Sequence, residues 1–422
     1  MRPGHAELAS RADSRSVAHA FSRLSRRRVG GVRVVACALV AFVLLASTRS
    51  WAQEPAAPQT VDAARLQAAI DTLGALDYAK RTDAARLVRR TSPEQAVPAL
   101  MRAVSEHADG YVRYKALVLL TGFNDPRTID AMRESLTSPN DRLRSTAYEF
   151  FEHNPVPALL PDLLAALDKE HSEFVRPSLV RTLAAYGSDP RAQQALTREA
   201  NRGEDFFRSA VIEALGDYKA VYAFDAINGI AKQDGPLVDD AALALGKIGD
   251  KRALETLSGL QRTAPRTMQP SVAAGICLLG VNCGSHENYL AQTLKFSDQN
   301  IGFQELLRGA AAGLGALGVG GRESAVTALF DVGIPSRDPT RSPVALALAT
   351  VALRNTPLML TVLKAAPAQA DAIALMAEGF DMLEEDFEKE RFFAAVRRQY
   401  WSASEQSADR RLMQSLIGKL DF

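Results

Sequence analysis

The feature that most constrains this chain is a repeating apolar pattern. Residues at i, i+4, i+7 and i+8 are apolar from Val112 (with Ala116, Leu119 and Leu120), and the pattern returns at Leu143, Phe207, Met268 and Phe303, with looser copies from Val175 and Val238. From Val112 to Met268 the starts lie 31, 32, 32, 31 and 30 residues apart. That regularity belongs to a solenoid in which each unit buries its face against its neighbours, not to one globular core. Weaker copies begin at Lys80, Val344 and Ala372. Second helical stripes, such as Ile129, Met132, Leu136 and Ala253, Leu254, Leu257, Leu260, fall between the starts. Each unit therefore reads as two antiparallel helices. The expected fold is all-α, an α-α superhelix of about ten helix pairs.

Residues 238–254, VDDAALALGKIGDKRAL, show one unit at its clearest. Val238, Ala242, Leu245 and Ile248 make the stripe, Gly246 and Gly249 close the helix, and Asp250 stands where the next helix can be capped. Taken with the Val-Arg or Phe-Arg openings at Val112-Arg113, Val175-Arg176 and Phe207-Arg208, and the Asp-Pro-Arg joints at Asp125 and Asp189, the run ALALGKIGDKRALETL resembles HEAT repeats. It is similar in particular to the short HEAT-like class first described in phycobilisome bilin lyases. The resemblance spans residues 61–384 and implies a binding scaffold, because this architecture serves mostly in that role.

The first 52 residues carry nine of the fifty Lys and Arg but only two acids, Glu7 and Asp13. A charge-free apolar run follows at residues 34–47, shorter than the ~20 residues that span a bilayer. Ser50-Trp51-Ala52 has the small residues of a signal-peptidase site. The expectation is a signal peptide at 1–52, cleaved after Ala52, a periplasmic or secreted protein, and no stable membrane span after cleavage; an uncleaved anchor is the rival. Cys37 precedes most of the apolar run, so it does not fit a lipoprotein box. The remaining 370 residues hold 41 basic and 47 acidic side chains, a formal charge of −6, which argues against nucleic acid as a partner.

Residues 53–60, QEPAAPQT, are Pro-rich and without periodicity, and read as a disordered tether. The solenoid is expected over 61–384. Residues 332–343, VGIPSRDPTRSP, read as an inserted loop, and Arg337 and Arg341 within it are candidate partner contacts. Residues 385–422 hold two further amphipathic helices, expected as a C-terminal cap.

One column of charges stands out. Arg113, Arg144, Arg176 and Arg208 each follow the first apolar residue of a helix or open it, with Asp109, Asp141, Glu173 and Asp205 three or four positions before. A structural ladder is the expected role, in which an acid favoured at a helix N-terminus is paired with Arg; a cationic track is the functional alternative. Cys277 and Cys283 can form a disulfide if the chain turns back near Gly280, and otherwise stand as two buried thiols.

Gly313, Gly315 and Gly318 match G-x-G-x-x-G. They lie in an Ala-rich helix, without the preceding strand that a dinucleotide site needs. HEAT-like di-iron hydroxylases use several His-Glu pairs, whereas one, His286-Glu287, occurs here. No catalytic residue, cofactor or metal site is expected. The anticipated function is an exported scaffold binding a protein or peptide along the second helices of each pair; the alternative is bilin-lyase-like chromophore attachment or another HEAT-like enzyme activity.

Overall fold

A computed structural model describes residues 54–422, within a compact unit spanning 53–422. The signal-peptide reading of residues 1–52 lies outside the described residues.

The described chain is all-α. Ten helix pairs run α1 (Ala63–Thr72) and α2 (Tyr78–Arg90), α3 (Pro93–Glu106) and α4 (Gly110–Thr121), α5 (Thr128–Ser135) and α6 (Asp141–His153), α7 (Leu160–Lys169) and α8 (Arg176–Ala185), and α9 (Pro190–Glu199) and α10 (Asp205–Asp217). They continue with α11 (Phe224–Ala231) and α12 (Val238–Ile248), α13 (Ala253–Thr263) and α14 (Gln269–Leu278), α15 (Cys283–Gln299) and α16 (Gln304–Val319), α17 (Glu323–Gly333) and α18 (Arg341–Arg354), and α19 (Thr356–Ala365) and α20 (Gln369–Met382). Two more, α21 (Asp386–Ser402) and α22 (Ala408–Leu420), close the chain.

The two layers are packed differently. From α6 onwards the even-numbered helices to α20, which carry the strong sequence pattern, stack directly on one another. Small residues make this possible: a Cβ on Gly246 would lie 2.4 Å from the Gly275 backbone, and one on Gly379 would lie 2.0 Å from the Ala345 carbonyl oxygen. The odd-numbered helices touch each other less. A stack whose one layer approaches more closely curves towards that layer, so the even helices form the inner surface. The second stripes, expected to present the binding face, are therefore on the outer layer.

Local chemistry explains the helix ends. Asp62, Asp77, Asp109, Asn140 and Asp189 accept a backbone N–H at their helix starts. Gly249 ends α12 at φ 80°, a left-handed conformation that glycine adopts without strain.

Two segments differ from the sequence reading. The C-terminal pair is more than an end cap: α22 packs on α19 and α20, while α21 lies against α4, α6 and α18 and joins the last layer to the first. Residues 54–60, expected as a free tether, are held. Gln59 N–H donates to the Arg90 carbonyl at 2.7 Å, and Ser92 N–H donates to the Gln59 carbonyl at 2.8 Å. Tyr400 Oη and Trp401 Nε1 donate to the carbonyls of Glu54 and Pro55 at 2.9 and 3.1 Å. The buried Glu54 carboxylate pairs with Arg90 at 2.7 Å. Lack of periodicity excludes regular structure, but it does not exclude an extended segment whose backbone groups find partners in other helices.

Candidate binding cavity

The Arg column is brought together as side chains that close each repeat. Arg113 donates to the Val104 carbonyl at 2.8 Å, Arg144 to Ser138 at 2.8 Å and Arg208 to Ala200 at 3.1 Å, each oxygen lying at or just beyond the end of the preceding outer helix. The last carbonyls of a helix lack intrahelical donors, and a guanidinium supplies them. The expected acid partners are present in two of four layers, Asp141 with Arg144 at 2.9 Å and Asp205 with Arg208 at 3.1 Å. Asp109 instead caps Tyr111 N–H. Glu173 is exposed, and Arg176 stacks 3.6 Å from the Phe207 ring centroid with Glu199 at 3.9 Å.

Arg341 belongs to this same set. It opens α18, donates to the Gly333 and Ile334 carbonyls at 3.1 and 3.2 Å, and holds Glu378 with two bonds of 2.6 and 2.8 Å. The expected partner-contact loop thus has one structural arginine and one, Arg337, that is exposed. Arg341→Ala should destabilise the protein by about 1–2 kcal/mol in denaturant titration, whereas Arg337→Ala should stay within about 0.5 kcal/mol of wild type.

Cys277 lies in the last turn of α14, the chain turns at Gly280 with φ 78°, and Cys283 opens α15; the two are joined by a disulfide. Gly315 and Gly318 pack against Ala347 and Val351 of α18, which accounts for the G-x-G-x-x-G spacing without a nucleotide. Glu287 pairs with Arg322, and no cluster of metal-ligating side chains occurs among the described residues.

Sequence reasoning missed the site that the inner layer and α21 make together, a cavity of about 830 Å3. Its wall of Phe150, Val319, Leu353, Phe387 and Phe392 is apolar; around it stand Glu152, His153, Arg181, Asp217, Arg354, Arg391 and Arg398. Most of these charges are paired across helices. Arg181 bridges Glu152 at 3.3 Å and Asp217 at 2.9 Å, Lys247 takes Asp217 at 2.6 Å, and Tyr218 Oη donates to Glu152 at 2.9 Å. Arg354 holds Glu385 and Glu388 at 3.0 and 2.9 Å, and His153 and Arg391 each meet Glu388 at 2.6 Å. Burial alone would raise the Glu388 pKa, but the His153 hydrogen bond and the charges of Arg354, His153 and Arg391 outweigh it and bring it down to about 2.

Glu149, one turn before His153, goes the other way. Burial and the nearby Glu388, Glu152 and Glu385 charges push its carboxyl up to about 8, against a lowering hydrogen bond from Ser178. A raised folded-state pKa in an acid costs stability progressively as pH rises above the unfolded value towards the folded one. Glu149→Gln is therefore expected to gain about 2–3 kcal/mol at pH 7 to 8, with the gain shrinking to nothing below about pH 4, as read from stability against pH.

Comparison with known proteins agrees with this architecture. Residues 66–152 match the model for HEAT repeats, and residues 239–260 the model for the PBS lyase HEAT-like repeat. No curated protein matches the chain. Similar solved structures include the complex of CpcE and CpcF of phycocyanin lyase from Nostoc sp. PCC7120, at 20% identity over 62% of this chain and 97% of that one, TM-score 0.39. Human deoxyhypusine hydroxylase in complex with glycerol aligns at 16% identity over 61% and 96%, TM-score 0.27. Kap121p bound to Pho4p aligns at 13% over 90% and 51%, TM-score 0.33. The chain is thus an all-α helical-repeat solenoid, with HEAT-type matches at residues 66–152 and, of the PBS lyase HEAT-like kind, at 239–260.

Proposed function

We propose that this protein is an exported scaffold that binds a protein or peptide partner at its inner surface and performs no catalysis itself. The observation that supports this is the cavity between α21 and the inner helices, whose charged groups are mostly engaged in cross-helix ion pairs and whose remaining wall mixes apolar side chains such as Phe150, Leu353 and Phe387 with polar ones such as Asn124, Asn154 and Gln399. Ligand sites are typically concave and of about 300–1,000 Å3, a range that this cavity falls in. Among the described residues no helix is long and apolar enough to cross a membrane. Crosslinking the protein in envelope extracts tests the reading: one partner recovered in fixed ratio, and lost when the cavity is blocked by Ala395→Trp, supports it. Recovery of the same material with the blocked variant overturns it. Export is tested by sequencing the N-terminus, which should begin at Gln53; a full-length cytosolic product defeats it.

The PBS lyase HEAT-like match at 239–260 favours one second reading, chromophore attachment. Incubation with a bilin and an acceptor protein decides it, since covalent transfer would displace the scaffold reading.

A further inference from the structure

The charges around the cavity do not balance locally. Glu152 and Asp217 are taken by Arg181, Lys247 and Tyr218, Glu385 by Arg354, and Asp125 by its bidentate neighbour Arg127. Glu388 alone is shared by His153, Arg354 and Arg391. Arg391 Nη1 donates to Glu388 and lies 2.9 Å from His153 Nε2, and the Arg391 Nε and Nη2 have no partners among the described residues. Arg398, exposed at the same cavity, has no ion pair or hydrogen bond among them. The unanswered charge is positive.

A second observation points to a ligand independently. Thr128 lines the cavity, is 2% exposed, and its hydroxyl has no hydrogen-bond partner. A buried unpaired polar group is uncommon and invites a polar atom.

The spacing says what kind. Arg391 and Arg398 are seven residues apart on one helix, hence about 10 Å along its axis and on nearly the same side, with Ala394 and Ala395 between them. A peptide in the polyproline-II conformation, with three residues per turn, returns to the same side after about 9 Å. We infer that the cavity receives an acidic peptide segment in the polyproline-II conformation with carboxylates at positions i and i+3, seated on Arg391 and Arg398, and an apolar side chain between them turned towards the apolar residues of the cavity wall. This rests on the scaffold reading above and gives it a partner chemistry. Guanidinium groups suit carboxylates because two parallel N–H donors can meet two oxygens.

The test uses the full chain and dye-labelled peptides read by fluorescence anisotropy. One peptide holds Glu-Phe-Ala-Glu, a second places the two glutamates side by side, and a third replaces them with lysines. The first should bind more tightly than the second, and the third should not bind. Because Arg398 is exposed and Ala395 half-buried, Arg398→Glu and Ala395→Trp should keep the wild-type fold by circular dichroism. Arg398→Glu should weaken the first peptide at least about tenfold, the equivalent of 1.4 kcal/mol, and Ala395→Trp should abolish its binding. Equal binding to wild type and Arg398→Glu overturns the proposal, as does tighter binding of the lysine peptide or no binding of any. If acidic peptides fail while the crosslinked envelope partner is still lost with Ala395→Trp, the partner chemistry is wrong and the scaffold reading stands.

Discussion

Glu388→Ala should destabilise the protein by about 3–5 kcal/mol, the cost of removing one member of a buried charged cluster and leaving the others unanswered. The Glu388 side chain is only 5% exposed and holds His153, Arg354 and Arg391 together. The same residue predicts an acid limb. Its folded-state pKa of about 2 lies below the ordinary value of 4.5, so its contribution is complete above the unfolded value and drains away as pH falls towards 2. That contribution is about 3 kcal/mol, at 1.36 kcal/mol for each pKa unit. Denaturant titrations from pH 7 to pH 2.5 would show it. A Glu388→Ala protein whose stability and acid slope equal those of wild type would remove α21 from the list of elements held by this carboxylate.

The second large effect is steric. At Gly379 an added methyl would sit 2.0 Å from the Ala345 carbonyl oxygen and 2.7 Å from the Ala349 methyl, both on the neighbouring inner helix. Backbone cannot swing aside as a side chain can, so α18 and α20 must separate and lose the contacts that stack them. Gly379→Ala is expected to cost about 3 kcal/mol or more, at the upper end for overpacked sites, although alanine is the better helix former. Gly229→Ala is the control. It lies in α11 with nothing within 4 Å of the added carbon, and should stabilise by about 0.5–1 kcal/mol. The two variants, melted side by side, separate close helix approach from helix propensity; equal shifts in the same direction would contradict the stacking described.

The solenoid was legible because its signal is repeated: Val112, Leu143, Val175 and Phe207 are all at most 5% exposed on inner helices, as a recurrent stripe requires. Which layer faced inwards was not legible. Both helices of each unit are amphipathic, and the difference resides in small residues such as Gly246, Gly275 and Gly379, whose partners lie about thirty residues away in sequence. The Arg column was visible as a column and two of its acid partners, Asp141 and Asp205, are as expected, but its carbonyl acceptors were missed. A carbonyl at the end of a helix leaves no mark in sequence, so Val104, Ser138 and Ala200 could not be picked as acceptors for Arg113, Arg144 and Arg208. Arg341 escaped the column because the three prolines around it, Pro335, Pro339 and Pro343, made its surroundings look like loop. The cavity itself depends on contacts between residues more than two hundred positions apart, such as His153 with Glu388. One available sign was passed over. Glu390 and Arg397 sit at i and i+7 in a helix with Phe387, Phe392, Val396 and Tyr400, and charges among that many apolar residues are commonly buried and paired.

The junction of α21 with the first layers changes how the chain comes apart. An open repeat array unravels from its ends, each unit answering only to its neighbours. Here Arg89 on α2 meets Glu390 on α21 across 301 residues, and Tyr400 and Trp401 hold the strap at 54–55. Closing a loop of that length costs about 5 kcal/mol in chain entropy beyond a constant, so the joint forms only after the intervening layers have shortened the path between its halves. Once formed, it removes the free ends from which fraying would begin. The first and last helices then share one opening free energy, and loss of either end exposes both.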